Sequence, residues 1–244
     1  MQVIHLAGLS PYAEVHTIQE RLVAARLGGG PDTLLLLEHA PTITVGRKQG
    51  SDGNVLAPTG VPVVRVERGG DVTWHGPGQL VGYPIIGLEG EKRDLRAFLA
   101  ALEQAVIAVL RGLGLDATRD PRNTGVWLPG PWGERQKVCS IGVACRQWVT
   151  WHGFALNRSG ALDGFARIRP CGFGADVMTE LGAHLDPVPP SDALRAALAA
   201  AVADALGLAW DGTIRTLEVA ALAAALDAGA VAGGGEPNAE TRGV

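Results

Sequence analysis

From residue 123 to 157 the chain reads NTGVWLPGPWGERQKVCSIGVACRQWVTWHGFALN, and no part of it carries a helical repeat of apolar residues. Short runs rich in Val, Ile and Trp are broken by the turn-forming pair Pro129-Gly130. Neighbouring short strands joined by tight turns pair antiparallel, so this meander commits the fold to a sheet that is at least partly antiparallel. Within it, 145–152 (CRQWVTWH) reads as one strand. Positions 139, 141, 143 and 145 share a strand face. With Ile141 and Val143 between them, Cys139 and Cys145 are expected to be small core residues.

The flanking segments alternate strands with helices. A strand is expected over 1–9, then Ser10 as cap and Pro11 in the first turn of a helix over 12–29. The run 34–37 (LLLL) reads as a buried strand, Pro41 interrupts, and 42–45 resume as a strand that Gly46 ends. Residues 61–88 suggest a strand, a glycine-rich turn and another strand. Leu95, Leu99, Leu102, Val106 and Leu110 recur at spacings of three and four, which predicts a helix over 91–114 ending at Gly112 and Gly114. An alanine-rich helix over 191–208 opens with Ser191 as cap, and a shorter one covers 216–228. No repeat or linker divides the 244 residues. The expectation is one α/β domain over 1–230, mainly antiparallel or mixed, followed by a disordered tail over 231–244.

The totals exclude several functions. Apolar residues make up 47% and charged residues 19%, ordinary for a globular protein, and the net charge of −4 lacks the basic surplus of a general nucleic-acid binder. Three cysteines at unrelated spacings make no disulfide framework and suit a reducing compartment. The first residues carry no basic segment followed by a long apolar run, and no uncharged apolar stretch reaches the roughly 18 residues of a membrane span. A cytoplasmic protein is expected.

Three places carry candidate chemistry. In 167–177 (RIRPCGFGADV), Cys171 sits between a ring that fixes the backbone and a glycine that frees it, as in a loop that presents a side chain. It is either a nucleophile or an ordinary loop cysteine. A thiol with a pKa of about 8.5 needs a base or a positive field to attack at neutral pH, and His75, His152 and Lys137 are the candidates. Lys137 opens an apolar strand, either as a snorkelling strand end or as a desolvated amine able to move protons. Residues 68–78 hold four glycines and a proline. Neither a phosphate loop nor a dinucleotide fingerprint fits them. Such a loop either lets the backbone approach a ligand closely or makes a bulge or hairpin. His75 is a catalytic group, a loop-fixing partner or neither. No His-x-x-x-His or Cys-x-x-Cys pair exists, so no metal is expected.

Taken together, LLLLEHAPTITVGR, RGGDVTWHGPGQLVGYPII, KVCSIGVACRQWVTWHGFALN and RIRPCGFGADVMTEL, in that order over residues 34–183, resemble the lipoyl(octanoyl) transferase family. The resemblance implies a fold shared with lipoate and biotin protein ligases: an α/β (α+β) domain with a mixed, largely antiparallel sheet flanked by helices. Lys137 matches the family's catalytic lysine in its Lys-x-x-Ser/Ala-Ile-Gly element, with Ser140, Ile141 and Gly142, and Cys171 matches its acyl-accepting cysteine in Pro-Cys-Gly. Arg68, Gly69, Gly70, His75, Gly76, Gly78 and Gln79 match the glycine-rich element lining the acyl pocket. His152, Gly153 and Asn157 match the His-Gly-x-Ala-Leu-Asn element. The chain departs from the family pattern at Trp74, Cys139, Trp148 and Trp151, where a different pocket shape is expected.

The implied activity is transfer of octanoyl from octanoyl-acyl-carrier protein to a specific lysine of apo lipoyl domains, the first step of endogenous protein lipoylation. It runs through a Cys171 thioester without cofactor, metal or ATP. The acceptors would be the lipoyl domains of 2-oxoacid dehydrogenases and the glycine cleavage H protein. Such partners are acidic as a rule, so Arg119, Arg122, Arg158, Arg167 and Arg169 are candidates for a docking patch. Three other readings stay open at this point: an ATP-dependent lipoate or octanoate ligase, a transferase between two lipoyl-domain proteins, and a module that binds acyl chains without turnover.

Overall fold

Four consecutive leucines cannot all be buried by a strand with one dry face, because successive side chains point to opposite sides. A computed structural model describes residues 1–229, with Arg122 left out and Cys171 given by its backbone alone. The leucines lie in β2 (Thr33–His39), in a sheet covered on both faces. Leu34 and Leu36 join a core with α2 (Leu95–Gly112) and α3 (Ser191–Leu206). Leu35 and Leu37 join a second core with α1 (Tyr12–Leu27) and α4 (Val219–Asp227).

This sheet contains β1 (Gln2–Ser10), β2, β6 (Gln79–Ile85), β7 (Gly125–Pro129), β8 (Arg135–Arg146), β9 (Val149–Asn157) and β10 (Ile214–Leu217), in the order β10-β1-β2-β6-β9-β8-β7. β1 runs parallel to β2 and β10, and every other neighbour pair is antiparallel. The expected mixed, largely antiparallel sheet with flanking helices is what forms. A second, three-stranded sheet places β3 (Thr42–Val45) between a parallel β4 (Val63–Arg65) and an antiparallel β5 (Val72–His75). Only Ala40 and Pro41 separate β2 from β3, so the proline break moves the chain from one sheet to the other. The Ala40 N–H donates to the Ser10 carbonyl at 3.0 Å and fixes that crossing.

Several expectations are corrected. Residues 61–88 form three strands, because β5 lies inside the supposed glycine-rich turn. The stretch 145–152 is not one strand: Gln147 and Trp148, at φ +49° and +66°, make a two-residue hairpin that pairs Arg146 with Val149. Cys145 therefore ends β8 at an exposed hairpin, not in the core, whereas Cys139 is fully buried. Ser10 and Ser191 do not cap their helices; Pro11 and Pro190 hold the N-cap positions without a side-chain bond. β10, ahead of α4, was not anticipated. The expected tail over 231–244 lies outside the described residues. Among the described residues no helix is long and apolar enough to cross a membrane.

Candidate active site

The two sheets meet around a cavity of about 300 Å³. One wall is the segment 68–75 of the small sheet, another is β8 with β9, and Leu95 and Leu99 of α2 close a third side. Of the expected residues, Lys137, Arg68, Gly69, Gly70, His75, Ser140, Ile141, Gly142, His152 and Gly153 line it. Gly76, Gly78, Gln79 and Asn157 do not; they stand behind the wall.

Lys137 enters the cavity from β8 and is only 6% exposed. Its Nζ donates to the Thr124 carbonyl at 2.8 Å and to Asn123 Oδ1, and it lies 5.1 Å from the Trp127 ring centre. This is a held amine, not a snorkelling strand end. Gly125 makes the holding possible. It sits at φ +140°, and a β-carbon there would lie 2.4 Å from the Cys139 carbonyl oxygen and 2.9 Å from Lys137 Cε. Its N–H is held by Glu103 Oε1 at 2.9 Å. Asn123, Thr124, Gly125 and Glu103 went unnoticed in the sequence; the glycine opening a strand-like run was the available signal.

Cys171 falls in a short 3-10 turn, Pro170–Gly172. Pro170 and Phe173 on either side of it line the cavity, as do Val177 and Met178 further on. The same segment is tied to the lysine's own backbone: Met178 bridges Lys137 in parallel, and the Thr179 N–H donates to the Lys137 carbonyl at 3.0 Å. The Cys171-bearing turn and the Lys137 side chain thus front one cavity. Cys139 does not compete, because burial pushes its thiol up to about 12 and it lies outside the cavity lining.

The histidine beside the glycines is a loop-fixing residue. His75 Nδ1 donates to Gln79 Oε1 at 2.8 Å. Gln79 Nε2 donates to the Trp74 carbonyl and to Asn157 Oδ1, and Asn157 Nδ2 donates to the Thr179 carbonyl. On its other side, Arg68 Nη2 donates to Thr44 Oγ1 at 2.8 Å, leaving the Thr44 hydroxyl to face His75 Nε2 at 3.4 Å. Desolvation, then the charges of His39 and Arg68, hold the His75 pKa well below 6.5, so the ring is neutral. Arg68 itself spans the glycine turn, donating to the carbonyls of Gly69, Asp71 and Thr44. His39 lies behind: its Nδ1 donates to the Ser10 carbonyl, its Nε2 accepts from the Tyr83 hydroxyl, and burial lowers its pKa to about 4.

The four positions that depart from the family pattern, Trp74, Cys139, Trp148 and Trp151, are not among the residues lining the cavity. The arginines are partly committed elsewhere. Arg119 pairs with Glu103, Arg158 donates to the Pro189 carbonyl and Arg167 to those of Ala57 and Thr59, while Arg169 is exposed. Arg122 lies outside the described residues.

The family model "Lipoyl protein ligase A/B catalytic domain" matches residues 11–203. A curated octanoyltransferase of Mycobacterium leprae is 45% identical over 212 residues, covering 84% of this chain and 90% of that one. A lipoate-protein ligase A crystal structure with bound ATP superposes with a TM-score of 0.70 at 18% identity, covering 93% and 95%. A bipartite lipoate protein ligase from Thermoplasma acidophilum, studied with its E2 lipoyl domain, gives 0.67 at 19% identity, covering 93% and 92%.

Proposed function

The chain belongs to the lipoyl protein ligase A/B catalytic-domain family and is an acyltransferase of the octanoyltransferase kind, and from that footing we propose a two-step transfer through Cys171. The donor is the octanoyl thioester of an acyl-carrier protein. The acceptor is the ε-amine of one lysine on an apo lipoyl domain, as carried by 2-oxoacid dehydrogenases and the glycine cleavage H protein. Residues 1–230 act as one catalytic unit.

In the first step Lys137, in its neutral form, takes the Cys171 proton and the sulfur attacks the donor carbonyl. The carrier's C–S bond breaks, and the departing thiolate receives the proton from Lys137. One thioester replaces another, so the step is nearly neutral in energy and needs no nucleotide. In the second step the acceptor amine attacks the acyl-enzyme and loses a proton to Lys137. The amide forms, and Cys171 leaves and is reprotonated. Main-chain N–H groups of Ser140, Ile141 and Gly142, which line the cavity, are the candidate donors to the tetrahedral oxyanion. Leu95, Leu99, Trp127 and Phe154 offer an apolar wall on which each buried methylene of the chain contributes about 0.8 kcal/mol.

The observation that carries the reading is the shared frontage: a buried, multiply held amine and the turn bearing Cys171 open on one cavity. The test mixes enzyme, octanoyl-carrier protein and apo lipoyl domain without nucleotide and follows intact masses. One octanoyl group should pass transiently to the peptide containing residue 171 and then to the lipoyl domain, and Cys171→Ser should stop both. Modification that appears only with ATP and free octanoate would make the protein a ligase instead. Label on the peptide of residue 139 would move the nucleophile.

A further inference from the structure

At the edge of the cavity, which His152 lines, His16 of α1, Glu67 ahead of Arg68, and His152 of β9 converge from positions far apart in the sequence. His16 Nε2 lies 3.0 Å from Glu67 Oε2, and His152 Nε2 lies 3.6 Å from the same oxygen, beyond hydrogen-bond reach. One donor atom from each of the three fits within 4.8 Å of the others. Around a tetrahedral zinc ion with bonds of about 2.0–2.2 Å, neighbouring donors stand roughly 3.3 Å apart. The first two distances straddle that value, and the third closes with a small swing of the partly exposed His16 and Glu67.

A second observation comes from His152. It is 1% exposed, and neither of its ring nitrogens has a hydrogen-bond partner. A buried polar ring without partners is costly. Its backbone sits at φ +55°, a conformation a branched or bulky residue seldom adopts, and its N–H is fixed by Gln19 Oε1 at 2.9 Å. Strain and burial together hold this imidazole against Glu67.

We propose that His16, Glu67 and His152 bind a divalent transition-metal ion of the zinc class, through Nε2 of both imidazoles and a carboxylate oxygen, with water completing the shell. Two imidazoles and one carboxylate suit such an ion better than magnesium or calcium, which favour all-oxygen sets. The protonation states agree. Burial, then the Arg68 charge, lowers the His152 pKa to about 3, which leaves a neutral ring. For Glu67 burial is the largest single influence and acts upward, but the His16 hydrogen bond, a backbone hydrogen bond of its own and the charges of His16 and His152 together leave the carboxyl below its ordinary value. Glu67 is half-exposed and gives the ion a way in from solvent. The ion would clamp α1 to the loop preceding the glycine turn and to β9, beside the cavity that His152 lines. The site shares His152 with the cavity lining, but metal uptake tests it without reference to the octanoyl-transfer reading.

The test uses the full chain carrying Cys145→Ser, which removes the exposed thiol as a competing zinc ligand. After stripping with a chelator, zinc is titrated in competition with a chromogenic chelator, and thermal melts are recorded with and without zinc. One ion per chain is expected, with a raised Tm. His16→Gln and Glu67→Gln should each weaken binding by at least about tenfold and abolish the Tm shift. Both residues are partly exposed, so both variants should melt cooperatively without zinc. Equal zinc affinity in parent and variants, or no uptake from excess zinc, overturns the site.

Discussion

At the scale of single residues, the structure separates three sulfurs and three candidate bases that look alike in the sequence. Cys139 is two positions from Lys137, yet its thiol is held at about 12 by burial and it stands off the cavity. Cys139→Ala should therefore leave the rate of acyl-enzyme formation unchanged. Lys137→Met should slow that rate by about 10²–10⁴, the range for losing a positioned general base, as read by single-turnover intact mass. A rate within a few-fold of the parent would remove Lys137 from the proton path. His39 makes a separate prediction about pH. Its folded pKa of about 4 lies below the unfolded 6.5, so below pH 6.5 the unfolded chain takes up a proton that the folded chain refuses. The contribution is complete above 6.5 and is lost as pH falls towards 4. Between pH 7 and 5 unfolding free energy should drop by about 2 kcal/mol from His39 alone. His75 and His152 act in the same direction. Urea melts at the two pH values test this, and His39→Gln should flatten the dependence. That Lys137 and the turn at 170–172 front one cavity was foreshadowed because both sit in local motifs. The role of His75 was not, because Thr44, which faces it directly, and Asn157, which holds its partner Gln79, arrive from other strands.

Among the elements, periodicity located the helices well and side-chain capping poorly. Ser10 and Ser191 have the right chemistry for a cap, but prolines occupy the N-cap positions and neither hydroxyl bonds to the helix. Asp94 does cap α2, accepting from the N–H groups of Arg96 and Ala97 at 2.8 and 3.0 Å. Asp94→Ala should cost about 1 kcal/mol in urea unfolding, whereas Ser191→Ala should cost nearly nothing. The hairpin at Gln147-Trp148 was hidden because two left-handed residues usually announce themselves as Asn-Gly, and here neither position does. β10 escaped because four residues joined by a parallel pairing carry no local signal; their partner β1 lies some 200 residues away in sequence.

Taken as a whole molecule, the protein is two cores on either face of one sheet, with a smaller sheet alongside. The leucine run announced the double burial, since every face of β2 had to be dry. What covers the second face was less evident: α4 packs there through Leu222, which is fully buried. Leu222→Ala should cost about 2–5 kcal/mol, the range for emptying a buried leucine site. A loss well under 1 kcal/mol would mean that α4 is ornamental to the fold.

The passage from the large sheet to the small one takes two residues, Ala40 and Pro41, anchored by a bond to Ser10. A connection so short has no slack. The small sheet, whose segment 68–75 lines the cavity, is therefore tied closely to the large sheet, whose β8 and β9 line it from another side.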